Sequence, residues 1–125
     1  MQLLRPSDRQ ALASMTTPFA PDEALAREFR ADPLGHHSPN LQALLRRFRG
    51  EPVPGKYALL RTRHEREWTV VEFSGVKGVP LKQHPGLTFT DWRAAEWAVF
   101  QLRWRRHVGR PLSFEDAGLI DRLGA

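Results

Sequence analysis

The amino-acid sequence predicts an α+β fold, with several helices packed on a small antiparallel β-hairpin or three-stranded sheet. Apolar residues recur at helical spacing in three segments, and two short segments rich in strand-forming residues follow one another in the chain. The 125 residues are enough for one hydrophobic core, and the absence of cysteine excludes a disulfide framework. We expect a loosely ordered N-terminal segment over residues 1–20 and a single α+β domain over residues 21–125.

The first helix is expected between Pro21 and the pair Asp32-Pro33. Acidic residues in its first turn interact favourably with the positive end of a helix. Leu25 and Phe29 are four residues apart and therefore lie on one face. The residue before a proline avoids the helical conformation, so this helix should end near Asp32.

The second helix is expected in the stretch GHHSPNLQALLRRFRG, residues 35–50. Ser38 is a favourable N-cap, and Pro39 is tolerated at the first helical position. Apolar residues then follow at helical spacing, which indicates that one face packs inward. Arginines in the last turn and Gly50 after it are typical of a helix end. We therefore expect a helix from about Pro39 to Arg49.

The two expected strands, residues 56–62 and 67–73, are rich in aromatic and β-branched residues and should form a hairpin. Residues 79–83 are expected to add a short third strand, which Pro80 would place at a sheet edge. The following stretch HPGLTF, residues 84–89, is expected to be a loop.

The longest helix is expected over residues 91–108, capped by Thr90 and ended by Gly109. A last short helix should begin at Ser113. The long helix carries more apolar residues than one face can hold. The first stripe consists of Trp92, Ala95, Val99 and Leu102, and the second of Trp97, Phe100, Trp104 and Val108.

A surface helix needs one apolar stripe, so the second stripe predicts either a large internal core or a surface that a partner covers. Large aromatic residues beside arginines are also enriched at the energetic centres of protein interfaces. We favour the partner. The expected partner-binding residues are Trp97, Phe100, Arg103 and Trp104, with Arg106 as a charge at the rim.

No residue pattern in the chain indicates catalysis or a resident metal or cofactor. His36 and His37 are adjacent, so their side chains point in different directions and lack the spacing of a helical metal site. Ser74 precedes Gly75 without the sequence of a nucleophile elbow, which indicates a turn. We therefore expect no catalytic residues, no metal-binding residues and no cofactor in this chain.

The charge of the chain is positive, with 19 Lys and Arg residues against 14 Asp and Glu. This balance favours an acidic partner or a nucleic acid, although the arginines are spread along the whole sequence. We expect no membrane contact, because no stretch approaches the roughly 20 apolar residues of a membrane span. A cytoplasmic location is expected, because the N-terminus lacks the apolar core of a signal peptide.

Several short motifs, in this order, are similar to those of one family. They are Asp32-Pro33-Leu34-Gly35, His37-Ser38-Pro39-Asn40-Leu41-Gln42, Phe48-Arg49, Gly55-Lys56-Tyr57 and Ala94 to Phe100. Over about residues 28–107 the chain resembles the small (alpha) subunit of bacterial N,N-dimethylformamidase. The resemblance implies an accessory chain of an enzyme that hydrolyses a small amide to an amine and formate. It also implies that the iron and the catalytic residues belong to the large subunit.

The sequence thus predicts a non-catalytic accessory subunit of an amidohydrolase complex, which packs on a large catalytic subunit. A homo-oligomer would also cover the second stripe. The alternatives that stay open are a small basic nucleic-acid-binding module, a stand-alone protein-interaction module and a stand-alone enzyme. The salt dependence of binding separates the nucleic-acid-binding module from the accessory subunit, because phosphate contacts weaken steeply as the salt concentration rises.

Overall fold

The structure is a computed structural model, and it describes residues 19–62 and 66–124. Its helices are α1 (Glu23–Ala31), α2 (Pro39–Arg49) and α3 (Trp92–Val108), and its strands are β1 (Tyr57–Thr62), β2 (Glu67–Glu72) and β3 (Lys82–Phe89). A 3₁₀ turn, Ile120–Arg122, lies near the C-terminus. These helices and a three-stranded antiparallel sheet confirm the predicted α+β fold. The loosely ordered segment expected over residues 1–20 falls almost entirely outside the described residues.

The helix ends follow local capping rules. The side chains of Asp22 and Asp91 accept hydrogen bonds from backbone N–H groups two residues on, at 2.9 and 3.0 Å. The Ser38 hydroxyl accepts from the N–H of Leu41, three residues on, at 3.2 Å. The helix spans Pro39–Arg49, so the predicted bounds of α2 are confirmed. The expected cap at Thr90 is wrong by one residue. The reason is that the Asp91 carboxylate is the group that accepts the hydrogen bond.

The sheet has the order β1-β2-β3, and its hairpin places Arg61 opposite Trp68. The third strand differs from the prediction, because HPGLTF belongs to β3 rather than to a loop. Its pairing with β2 jumps from Val70↔His84 to Thr69↔Thr88, so residues 85–87 form a bulge. The bulge interrupts the ladder where Pro85 has no N–H to donate, and it sends Leu87 into the core.

Two hydrophobic clusters lie on opposite sides of α3. The first contains Ala26, Phe29, Leu41, Leu44, Leu45, Phe48, Trp97, Phe100, Trp104 and Leu112. The second contains Tyr57, Val70, Leu87, Ala98, Val99, Leu102 and Leu119. Helices α1 and α2 therefore cover one side of α3, and the sheet covers the other.

The segment after α3 does not form the helix expected from Ser113. It consists of turns followed by the 3₁₀ turn. Its backbone N–H groups donate hydrogen bonds to side chains from distant parts of the chain. The Glu23 carboxylate accepts from the Ser113 N–H at 2.8 Å, and the Gln101 side-chain oxygen accepts from the Asp116 N–H at 2.7 Å. These tertiary bonds replace the intrahelical bonds that a helix would supply.

Candidate functional site

A groove of about 430 Å³ lies between α3, the hairpin and the end of α2. Four of its residues recur along α3 at spacings of three or four, so they share one face of the helix. The residues that line the groove are Arg49, Ala58, Leu59, Arg61, Trp68, Trp92, Glu96, Val99 and Arg103. We call this feature the arginine–tryptophan groove.

An aromatic wall forms one part of the arginine–tryptophan groove. The rings of Trp68 and Trp92 stack with their planes 6° apart and their centroids 6.2 Å apart. The side chain of Trp92 is 46% exposed, and its indole N–H donates to the carboxylate of Glu96 at 3.1 Å. The guanidinium of Arg61 lies 6.0 Å from the centroid of the Trp68 ring. The wall therefore presents flat apolar faces beside charged groups.

Arg103 is a half-buried cation in this groove. Its Nη2 donates to the backbone carbonyl of Tyr57 at 2.9 Å, which joins α3 to β1. Within residues 19–62 and 66–124, its buried Nε has no hydrogen-bond partner, and its guanidinium forms no ion pair. Burial lowers the pKa of Arg103, although the carboxylates of Glu51 and Glu96 partly oppose that effect. The desolvation of this charge is therefore incompletely compensated.

The balance of charge in the groove is positive. Among the described residues, three arginines and one acidic residue, Glu96, line it. Repulsion from Arg49 contributes further to the lowered pKa of Arg103, so these two cations lie close to one another. Planar guanidinium groups bind carboxylates with two parallel hydrogen bonds and also stack on aromatic faces. The arrangement is chemically suited to an anion that carries a flat or apolar part.

The five residues expected to bind a partner do not form one surface. Trp97, Phe100 and Trp104 are only 7%, 2% and 1% exposed, because α1 and α2 cover them. The expectation that the second stripe of α3 lies uncovered is therefore wrong: the core has room for both stripes.

The two arginines of that set remain at or near the surface. Arg103 lines the groove, and the Arg106 guanidinium packs 4.0 Å from the centroid of the Tyr57 ring and donates to the carbonyl of Gly55. A role for Arg103 and Arg106 in partner binding stays a prediction.

The other members of the groove were not expected from the sequence. Trp68 and Arg61 could have been paired, since a hairpin of the predicted bounds places these two residues opposite each other. Trp92 belongs to the first stripe of α3, whose other members are buried, but its position in the first turn leaves it half-exposed. No local pattern marked Arg49 as different from its neighbours in α2.

The adjacent histidines belong to the start of α2. His36 is exposed, whereas the His37 ring lies 5.7 Å from that of Phe29 and its backbone carbonyl accepts from Gln42 at 2.8 Å. Ser74 donates to the carbonyl of Val79 at 2.7 Å, as a turn residue does. In the described part of the chain, no three His, Cys, Asp or Glu side chains gather where they could hold a metal ion.

Comparison with known proteins identifies a family. The family model described as "N,N-dimethylformamidase alpha subunit" matches residues 3–110, which is well over half of the chain. This chain belongs to that family. The resemblance inferred from the sequence motifs is thereby confirmed, and the range that matches the alpha-subunit model includes every residue that lines the arginine–tryptophan groove.

The search of curated proteins finds no match to this member of the alpha-subunit family. Among the described residues, no helix is long and apolar enough to cross a lipid bilayer.

Proposed function

We propose that this chain is a non-catalytic accessory subunit of a dimethylformamidase-like amide hydrolase and packs on a larger catalytic subunit. The observation that carries the proposal is the match of residues 3–110 to a family described as an alpha subunit. A subunit designation implies a second kind of chain, and the amide hydrolysis would take place on that chain.

The placement of the titratable side chains supports a structural role. The Glu28 carboxylate accepts from both the N–H and the hydroxyl of Ser38, at 2.7 and 2.6 Å, and so joins α1 to the start of α2. The carboxylate of Glu51 lies 2.9 Å from the His107 ring and joins the segment after α2 to the end of α3. These carboxylates connect elements of the fold rather than face a common cleft, as an acid and base pair would.

The composition of the arginine–tryptophan groove supports the proposal that this chain binds a protein partner. Tryptophan and arginine are the residue types that contribute most to binding energy at protein interfaces. The half-exposed Trp92 ring and the three arginines are gathered on one side of the molecule. Covering this groove would remove apolar ring surface from water and would give Arg103 and Arg49 a counterion.

The arginines outside the groove give less support to nucleic-acid binding. Arg105 pairs with Glu115 at 2.5 Å, and Arg122 donates to the carbonyl of Gly86 at 2.7 Å. Arg47 lies 3.7 Å from the centroid of the Phe19 ring. These guanidinium groups make contacts within the protein, whereas phosphate binding requires a stripe of cations that are free to contact the nucleic acid.

Co-expression with a dimethylformamidase-type catalytic chain from the same source tests the proposal. An affinity tag on this chain should recover the catalytic chain after nuclease treatment, and the purified complex should release formate from N,N-dimethylformamide. This chain alone should release none above the buffer control. Formate release by this chain alone, or full activity of a catalytic chain that never co-purifies with it, would contradict the proposal.

A further inference from the structure

We propose that the arginine–tryptophan groove seats an acidic segment of the catalytic subunit, with a carboxylate held by Arg103 and Arg49 and a neighbouring flat side chain against Trp92. This inference rests on the proposed function, and it names the part of the partner that this subunit recognises.

The charge of Arg103 is only partly compensated by its surroundings. Its Nη2 is bonded to a backbone carbonyl, while its buried Nε lacks a partner among the described residues. A desolvated guanidinium without a carboxylate is unfavourable, because a neutral carbonyl replaces only part of the hydration that burial removed. A carboxylate in the groove would supply the missing counterion.

Arg49 is a second cation of the groove and lies at the end of α2. Its backbone carbonyl accepts from the Lys56 ammonium at 2.7 Å, whereas its exposed side chain makes no ion pair within the described ranges. Both Arg49 and Arg103 line the same groove. Two neighbouring guanidinium groups repel each other in the free protein, and an anion between them would convert this repulsion into attraction.

The groove is small and has one flat apolar wall. A volume of about 430 Å³ accommodates one or two side chains but not a folded element. The stacked faces of Trp68 and Trp92 offer one flat apolar surface, which favours an aromatic or similarly flat side chain. The carboxylate of Glu96 accepts a hydrogen bond from the indole N–H of Trp92, and this bond also orients the ring.

The position of the groove beside an edge strand favours a protein segment over a free small molecule. β1 is at one edge of the sheet, and in the described part of the chain no strand pairs with its outer side. Ala58 and Leu59 of β1 line the groove. An extended segment that runs along this edge could bond to the open backbone groups of β1 while its side chains enter the groove.

The affinity of the purified catalytic subunit for variants of this chain tests the inference. Arg49→Glu should raise the Kd about tenfold or more, because it reverses a charge at the contact. Arg46→Glu is the matched control, since Arg46 is exposed in the same last turn of α2 but does not line the groove. It should change the Kd less than about threefold. Arg103→Met should weaken binding more than Arg103→Lys, which keeps the positive charge.

A charge exchange locates the contact on the partner. Changing the responsible Asp or Glu of the catalytic subunit to Lys should weaken binding to the wild-type chain and restore binding to Arg49→Glu. Circular dichroism and urea unfolding of every variant should show a native fold. Titration of the free chain with benzoate, followed by tryptophan fluorescence, measures the affinity of the groove for a small aromatic carboxylate.

The outcomes separate this inference from the proposed function. A wild-type chain that forms the complex, with folded Arg49→Glu and Arg103→Met variants that bind as tightly, would overturn the inference and leave the proposed function standing. Benzoate binding at submillimolar concentration combined with such unaffected complexes would assign the groove to a small molecule and would also overturn it. Failure of the wild-type chain to bind the catalytic subunit would overturn both proposals.

Discussion

The guanidinium of Arg103 donates to the backbone carbonyl of Tyr57 at 2.9 Å, and this hydrogen bond joins α3 to the edge strand β1. Within the described ranges Arg103 forms no ion pair, although the carboxylates of Glu51 and Glu96 lie near enough to affect its pKa. A single contact thus both attaches helix to sheet and keeps a cation available at the groove.

Replacing this cation should have little effect on the free subunit. Arg103→Met loses one hydrogen bond but also removes the cost of a desolvated charge, so the free energy of unfolding should change by no more than about 1 kcal/mol. Urea unfolding followed by circular dichroism measures it. A loss greater than about 2 kcal/mol would show that Arg103 serves the fold rather than the groove.

The two tryptophans at opposite ends of α3 should respond differently to truncation. Trp104 is 1% exposed, so Trp104→Ala should cost about 3–5 kcal/mol of unfolding free energy through lost packing and a cavity. Trp92→Ala is the control, because that ring is 46% exposed, and its loss should cost no more than about 1.5 kcal/mol. Urea midpoints of the two variants give the comparison. Similar losses for the two variants would contradict the assignment of Trp104 to the core.

The bond between Glu28 and Ser38 should make part of the stability depend on pH. The hydrogen bonds from Ser38 hold the pKa of the Glu28 carboxyl below its usual value of 4.5. A lowered folded-state pKa stabilises the fold above the pKa of the unfolded chain, and this contribution is lost as the pH falls through the folded pKa. Wild-type protein should therefore lose more stability than Glu28→Gln between about pH 5 and about pH 3. Equal losses of unfolding free energy in the two proteins over this pH range would contradict a pH-dependent role for Glu28.

Removal of the Ser38 hydroxyl should also destabilise the start of α2. Ser38→Ala deletes the N-cap of α2 and should cost about 1 kcal/mol at neutral pH. Pro39 should be left in place, since it suits the first helical turn. Thermal unfolding against the wild-type chain gives the difference, and an unchanged Tm would show that the cap contributes nothing.

The buried His84 should anchor the C-terminal segment. Its Nδ1 accepts from the Gly124 N–H and its Nε2 lies against the Glu72 carboxylate, both at 2.8 Å, so the ring proton is on Nε2. His84→Phe fills similar space but leaves both partners unbonded, which should cost about 1–3 kcal/mol. Amide hydrogen exchange at Gly124 should accelerate in this variant. Unchanged exchange at Gly124 would contradict an anchoring role.

The features that the sequence predicted well are those set by neighbouring residues. The bounds of α2 follow from Ser38 and Pro39 at one end and Gly50 at the other, and the structure places the helix between them. The hairpin follows from two strand-forming segments joined by a short polar turn. In both cases the decisive contacts are local, so a single sequence contains them.

The features that the sequence did not predict depend on residues far apart in the chain. Glu23 and Ser113 are 90 residues apart, yet their hydrogen bonds help to hold the C-terminal segment in turns. The second stripe of α3 is covered by helices whose packing no periodicity reveals, so Trp97 was expected at a surface. The groove combines residues from α2, the hairpin and α3, and Arg103 was the one member expected to bind a partner.

The most direct test of the account is size-exclusion chromatography with mass detection on the catalytic subunit mixed with wild-type chain or with Arg49→Glu. We predict that the wild-type chain elutes with the catalytic subunit as one species and that the folded Arg49→Glu variant elutes mainly apart from it. A catalytic subunit that elutes alone and releases formate at its full rate in the presence of the wild-type chain would contradict the account.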